Sequence, residues 1–329
     1  MGINNMKNEI KFSVIIPVFN CGEALRKCID SFLSQTFESF ELILVNDGSD
    51  DAITLEILDS YDRTENRVKV FHKENGGCVD ARRHGIRQAK GKYVTFADGD
   101  DFVRSDYFEV LSQVVCHKAD YYVLNNYRRF PNQEPYVEKV LTTGYTDIQW
   151  VKDFILGAKA AAIWDKIFLR EHFGEEVSII PMNITHGDDI YINIKYLQNI
   201  DNPSIYIADE AVYYHLMQTQ TSVCCQPASF EHLRESEVIY DAGLDYLIAL
   251  GNADARAKKV FLDKIYLGLA RTIGRLYRQK GMSKKIKQKF LSYRMFERIP
   301  LGGVSMKGIA SRVLLKYHMF WLLSIIIKR

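Results

Sequence analysis

The sequence predicts an α/β fold: a mostly parallel sheet with helices on both faces, followed by a helical C-terminal region. Three observations predict it. Short apolar runs alternate with amphipathic stretches from residue 12 onward, the order of β-α-β units. Three of those runs end in unusual polar residues: Asn20, Asp47, and Asp98 with Asp100. In parallel α/β sheets the ligand-handling residues sit at the carboxyl ends of strands. From Pro227 the pattern turns helical, with Phe261, Ile265, Leu269, Ile273, Leu276 and Tyr277 at helical spacing.

Taken in order, residues 12–17 read as a strand with Pro17 at its exit. A helix opens near Gly22 and runs to about Ser34, with Leu25, Cys28, Ile29, Phe32 and Leu33 on one face. Residues 40–45 form a second buried strand and run into the Asx- and Gly-rich turn 46–51. A helix over 53–61, a strand over 68–71 and a break at Gly76-Gly77 follow. The helix 79–90 bears Arg82, Arg83 and Arg87. Strand 93–97 comes next, then a helix from Ser105 to about His117 and an aromatic strand over 121–127. Residues 130–136 read as a loop and 146–156 as a helix. The run 160–168 is apolar with one lysine, Lys166. A helix starts at His186-Gly187-Asp188-Asp189, its acids in the favourable first turn. Residues 205–207 and 212–215 read as short antiparallel strands.

The stretch 93–101 carries the chemistry. A buried strand ends with three carboxylates in four residues around Gly99. Such charges repel one another and resist desolvation. A hard divalent cation, Mg²⁺ or Mn²⁺, offsets that repulsion and bridges carboxylates to phosphates. Gly99 permits the tight turn at the strand exit.

Charge divides the chain. Residues 251–329 hold 19 of the 43 Lys+Arg but 3 of the 41 Asp+Glu. The remainder holds 24 and 38, so the two parts carry net charges of about −14 and +16. A basic C-terminal part points to an anionic partner, membrane or nucleic acid, and no nucleic-acid reader motif is present. Residues 313–327 hold 12 apolar residues in 15, a helix of about 22 Å that falls short of a bilayer core. With the upstream lysines Lys284, Lys285, Lys287 and Lys289 it reads as an interfacial anchor, the alternatives being a helix packed on its own domain or on a dimer partner. The six cysteines form no C-x-x-C pair, the first apolar run is too short for a secretory signal, and no stretch reaches spanning length. These features predict a cytoplasmic protein with reduced thiols. No G-x-G-x-x-G follows the first strand, which argues against a nicotinamide-dependent enzyme.

Several motifs in one order carry a resemblance: Ser13-Val14-Ile15-Ile16-Pro17-Val18-Phe19-Asn20, Gln35-Thr36-Phe37, Val45-Asn46-Asp47-Gly48-Ser49-Asp50-Asp51, Asn75-Gly76-Gly77, Ala81-Arg82, Gly85-Ile86 and Ala97-Asp98-Gly99-Asp100-Asp101. In combination they resemble the family 2 glycosyltransferases of GT-A fold, densely over 12–102 and thinly to about 222. Two positions depart from the pattern: Arg83 stands where Asn is common, and Gly187-Asp188-Asp189 stands for Gly-Glu-Asp.

The resemblance implies a domain over 1–222, with a nucleotide-sugar half to 102 and an acceptor half beyond, and a separate region 223–329. It implies that Pro17, Val18, Phe19, Asn20 and Asp47 hold the nucleotide base and that Arg82 supports the nucleotide. It implies that Asp98, Gly99 and Asp100 bind the metal–diphosphate unit, Asp100 contacting the metal directly, with Asp101 capping the next helix. Asp189 would be the base and Asp188 an acceptor contact. Trp164 and Lys166 would lie on the acceptor side, and Tyr214-His215 with Ser222 would close over the donor, His215 being a weaker metal candidate. The implied function is inverting, Mn²⁺- or Mg²⁺-dependent transfer of one sugar from a nucleotide-sugar, a UDP-sugar, to a growing cell-surface glycan. A lipid-linked acceptor would suit a peripheral position on the inner face of the membrane, and a homodimer stays open. The absent Gln-x-x-Arg-Trp motif favours single-sugar transfer over polymerisation. A nucleotidyltransferase would show a Gly-rich loop with Arg and Lys after the first strand, which is lacking. A non-catalytic module would not keep all the acids.

Overall fold

The computed structural model describes residues 10–130, 133–139, 143–146, 161–174, 187–216, 229–249, 255–280, 288, 299, 305–317, 319–320 and 322–323. The chain divides into two units. The first takes in residues to 148, 162–183 and 195–219; the second takes in 149–161, 184–194 and the chain from 220.

In the first unit, β1 (Phe12–Val18), β2 (Phe40–Asp47), β3 (Val68–Lys73) and β4 (Tyr93–Phe96) run parallel in the order β3-β2-β1-β4. Helices α1 (Glu23–Leu33), α2 (Ala52–Thr64) and α3 (Cys78–Gln88) make the crossovers. β2 is buried along its whole length, as expected of a strand covered on both faces. Phe12, Val14 and Ile16 share a core with Leu25, Ile29 and Phe32 of α1. Ile15 points the other way, where a Cβ on Gly85 of α3 would meet its Cγ2 at 2.4 Å. Helices therefore cover both faces, and each fully buried Ile, Leu or Phe contributes about 1.5–3 kcal/mol.

The sheet continues as a mixed one. It takes in β5 (Phe102–Val103), β6 (Tyr121–Arg129), β7 (Tyr136–Glu138), β8 (Gly144–Thr146), β9 (Lys166–Leu169) and β10 (Ile205–Leu216). Past β4 the order is β9-β6-β10-β5, with β9 antiparallel to both β4 and β6. Helix α4 (Tyr107–Val114) precedes β6. The two short strands expected at 205–207 and 212–215 are one strand, β10, with register shifts between Ile207, Ala211 and Tyr214. It is antiparallel to β5 and β8 but parallel to β6. Irregular pairing broke its period-two pattern into two fragments. Residue 136, read as the end of a loop, opens β7.

The second unit contains α6 (Glu231–Ala249), α7 (Ala255–Lys280) and α8 (Met306–Lys316), while α5 (Asp188–Gln198) crosses the division at residue 194. Arg312 of α8 is fully buried, ion-paired with Asp263 of α7, and lies over Tyr266. Of the segment expected at a membrane interface, residues 313–327, the described Leu315 and Leu323 are fully buried and Leu314 and Phe320 nearly so, while 318, 321 and 324–327 lie outside the described residues. No described helix is long and apolar enough to cross a membrane. The expected helix over 146–156, Ser222, Cys224, Cys225 and the cluster Lys284, Lys285, Lys287 and Lys289 lie outside the described residues, apart from Thr146, which closes β8.

Two contacts fix the strands that carry the site. Buried Glu41 accepts from Ser13 Oγ at 2.6 Å and from Lys90 N at 2.7 Å, and Gly91 N donates to Ser13 Oγ at 2.8 Å. Asp120 Oδ2 accepts from Ser204 N at 2.8 Å and Ser204 Oγ at 2.6 Å, tying the starts of β6 and β10 together. Burial pushes the Asp120 carboxyl up, but the Ser204 hydrogen bonds override it and hold it below its ordinary value.

We expect Gly91→Ala to lower the urea unfolding midpoint, because a Cβ would meet the backbone of Phe12 and Ser13 at 2.6–2.7 Å; the cost should be about 1–3 kcal/mol. An unchanged midpoint would show that β1 gives way there.

A carboxyl with a depressed pKa stabilises the fold above its unfolded value, and that stabilisation is lost as pH falls through the folded value. Wild type should therefore exceed Asp120→Asn in urea stability by about 1 kcal/mol at neutral pH. The gap should close only below the ordinary carboxylate range, at about pH 4 and lower. A gap that stays constant to about pH 2 would mean that the charge of Asp120 is not its source.

Candidate active site

Parallel β2, β1 and β4 end at the same side of the sheet, and the order turns back at β1. Three loops meet beyond those ends. Phe19 and Asn20 follow β1, 48–51 follow β2, which ends at Asp47, and 97–101 follow β4.

Asn20 stitches the first two loops together. It adopts a left-handed conformation, φ 50°, which Asn tolerates better than most residues. Its Nδ2 donates to Asp50 Oδ1 at 2.7 Å, and its Oδ1 accepts from Asp50 N and Asp51 N at 3.0 and 3.2 Å. Phe19 beside it is 52% exposed, a bare ring at the mouth of the loops, whereas Val18 is buried and supports the strand. Asp51 caps α2 through Ile53 N and Thr54 N.

Asp47 is almost wholly buried, and its carboxylate is already engaged. Oδ1 accepts from Lys73 Nζ at 2.6 Å and Gly76 N at 2.8 Å, and Oδ2 from Gly77 N at 2.7 Å. It thus shapes the Gly76-Gly77 loop as well as facing the site. Lys73 also reaches Asp80, which pairs with Arg83. Arg82, from the same helix as Arg83, is buried rather than solvated and pairs with Asp98 at 2.9 Å.

The acid loop is bound to β10. Asp98 N donates to Tyr213 Oη at 2.9 Å, and Tyr213 Oη donates to Asp101 Oδ2 at 2.8 Å. Asp101 also accepts from Leu216 N at 2.7 Å and lies 3.0 Å from His215 Nδ1. Asp101 does not cap α4, as the sequence suggested. Strand β5 intervenes, and α4 opens at Tyr107 with no side-chain cap. Trp164 stacks on both Tyr213 and His215, at centroid distances of 5.0 and 4.8 Å.

Electrostatics reflect the crowding of acids. Burial, reinforced by Asp101 and Asp98, pushes Asp100 up to about 6. Burial also raises Asp101, against the pull of His215. His215 is pushed down by burial, but its hydrogen bond to Asp101 overrides this and leaves it raised. Burial pushes the Cys21 thiol up to about 11, so it stays protonated and unreactive. Gly99 packs against that thiol, leaving no room for a side chain: a Cβ there would lie 2.8 Å from Cys21 Sγ.

Ligand atoms of Asp98, Asp101 and His215 all lie within 4.8 Å of one another. Two carboxylates and an imidazole, with Asp100 beside them, suit a divalent cation. The sequence singled out Asp98, Asp100 and His215 but missed Asp101 and Tyr213. The signal for Tyr213 was its place two residues before His215, on the same face of one strand.

Lys166 was expected on the acceptor side. It is instead fully buried in an ion pair with Asp165, so its ammonium is committed within the protein. Trp164 is likewise buried against the acid loop's supports rather than offered to an acceptor. Asp188 and Asp189 occupy the first turn of α5. Gly187 before them has φ 80°, and a Cβ there would meet Ile239 Cδ1 at 2.4 Å, so only glycine fits. His186 lies outside the described residues. A groove of about 500 Å³ runs along α1 beside Phe102, and none of the site acids lines it.

Residues 13–169 match the sequence model of glycosyl transferase family 2. The uncharacterized glycosyltransferase EpsJ of Bacillus subtilis is 29% identical over 296 residues, covering 86% of this chain and 84% of that protein. The glycosyltransferase GlyA of Streptococcus pneumoniae is 33% identical over 220 residues, covering 62% of this chain but only 29% of GlyA. Among solved structures, TarS of S. aureus, residues 1–349 in complex with UDP-GlcNAc, superposes with a TM-score of 0.64 at 20% identity. That match covers 96% of this chain and 88% of that one, and the fold is GT-A. The glycine-bounded acid loop, its arginine and the stitched loops of β1 and β2 all fall within the matched span, and the chain is a glycosyltransferase of family 2.

Proposed function

We propose that this enzyme transfers one sugar, with inversion, from a UDP-sugar to a hydroxyl of a growing cell-surface glycan: capsule, lipopolysaccharide, exopolysaccharide or wall polymer. The observation that carries the reading is the convergence of the Asn20, Asp47 and Asp98–Asp101 loops at the carboxyl end of one parallel sheet, with Arg82 on Asp98. That TarS binds UDP-GlcNAc supports a UDP-sugar donor.

In this reading the base sits in the cleft of the Pro17–Asn20 loop against the Phe19 ring. The one acceptor position left on Asp47 Oδ2 takes an imide N–H. Because Asp47 is fixed by three partners, a base lacking that N–H leaves it under-satisfied, a penalty that selects uracil. Asp98, Asp100, Asp101 and His215 would hold Mn²⁺ or Mg²⁺. When bound, the ion supplies Lewis-acid charge that stabilises the departing diphosphate. Asp189 acts as the base. It takes the proton of the acceptor hydroxyl as that oxygen bonds to the anomeric carbon, and the bond to UDP breaks with its electron pair. Single displacement at that carbon inverts its configuration. Asp188 contacts the acceptor.

Attachment to an anionic inner membrane surface, and to a lipid-linked acceptor there, rests on the net charge of about +16 over residues 251–329.

Calorimetry of UDP binding with and without Mn²⁺ checks the donor site. Asp100→Ala should weaken UDP binding by about tenfold or more when Mn²⁺ is present, and leave it unchanged without metal. Equal metal-dependent affinity in mutant and wild type would remove Asp100 from the cation site.

Asp189→Asn should keep UDP-sugar affinity and lower kcat by about 10² or more. Activity within a few-fold of wild type would move the base elsewhere, with Asp188 the next candidate.

A further inference from the structure

We propose that Trp164 is a positioning residue for the cation site, its indole clamping the two side chains of β10 that hold Asp101. The proposal rests on the cation reading given above. Trp164 lies in the turn before β9 and is 5% exposed. Its ring is nearly parallel to that of Tyr213, at 12°, and to that of His215, at 16°. One indole face thus covers residues i and i+2 of the same strand face. Arg128 from β6 lies over the indole, 5.2 Å from its centre, and is ion-paired with Glu138. The result is a layered stack of guanidinium, indole, and phenol with imidazole.

The stack controls polar geometry. Tyr213 Oη bridges Asp98 N and Asp101 Oδ2, and His215 Nδ1 faces the same Oδ2. Asp101 Oδ1 is held by Leu216 N. A ring rotated off the indole would lose its bond to Asp101 and unseat the loop bearing Asp98. With Nδ1 engaged by Asp101, the ring nitrogen left to a cation is Nε2. Such a carboxylate–histidine arrangement orients a metal-ligating imidazole. Offset parallel rings at these distances hold one another in place. Trp164 touches neither the donor nor the reacting atoms in this account. It acts through His215 and Tyr213, and the ion pair of Asp165 with Lys166 fixes the turn from behind.

The test is Mn²⁺ affinity of the full chain, measured by calorimetry or by the electron paramagnetic resonance of free Mn²⁺, in the presence of UDP. Trp164→Leu should weaken Mn²⁺ binding by about 10–100-fold, the range for supports of metal ligands. Trp164→Phe, which keeps a flat ring, should stay within about threefold of wild type. Tyr213→Phe keeps the stack and loses the hydroxyl bridge, so it should weaken Mn²⁺ binding by about tenfold even if Trp164→Leu does not fold. In a Tyr213→Phe, His215→Ala background Trp164→Leu should add less than about threefold, because its effect passes through those two side chains.

Full additivity of Trp164→Leu with the Tyr213→Phe, His215→Ala pair would overturn the proposal, as would wild-type Mn²⁺ affinity in folded Trp164→Leu or in Tyr213→Phe. Absence of Mn²⁺ binding by the wild-type chain would overturn the cation reading itself, and this proposal with it.

Discussion

Repulsion among Asp98, Asp100 and Asp101 is the constraint to which the site answers. Three carboxylates lie within four residues at the exit of a buried strand, where water cannot screen them well. The protein meets that repulsion unevenly. Asp98 is offered an arginine, and Asp101 a backbone N–H, a phenol and an imidazole. Asp100 receives no cation from the described residues, and its carboxyl is the one lifted to about 6. The compensating groups come from α3, the helix before β4, and from β10, more than 100 residues further along the chain. Folding of the acid loop therefore requires the second half of the sheet.

That dependence explains the mixed sheet. Parallel strands from β-α-β units place the three loops side by side. They do not supply a wall beyond β4. Antiparallel β9 attaches there and brings the Trp164 turn. β6 and β10 then extend the sheet and carry Tyr213 and His215 back to the acids. The irregular register of β10 lets one strand serve β6, β8 and β5 in turn.

The parallel half was legible in the sequence because strand and helix periods alternate there and each strand ends in residues unusual for a strand end. Asp47, Asp98 and Asp100 stood out as site candidates for the same reason, and Arg82 through the resemblance. The far half was not, because its pairings join residues some 40–110 positions apart and leave no local pattern. Lys166 was placed on the acceptor side by the resemblance; its pairing was not legible, because residues 164–165 form a turn that lets the neighbouring Asp165 reach it. Asp101 looked like a helix cap because a two-residue strand is too short to show a period. For the apolar tail, composition cannot tell a helix buried in its own protein from one buried in lipid, so the sequence left both readings open.

The buried run Asp47, Lys73, Asp80, Arg83 has a historical consequence. Its charges alternate, and each side chain touches the next. Losing Lys73 removes the cation shared by Asp47 and Asp80 in a poorly solvated place. Such positions cannot drift independently. Arg83 has a carboxylate partner in Asp80, which it shares with Lys73, so a change at one of these positions alters the charge balance of the others. Across descendants of this gene the four codons should therefore change in concert, leaving a correlated signature.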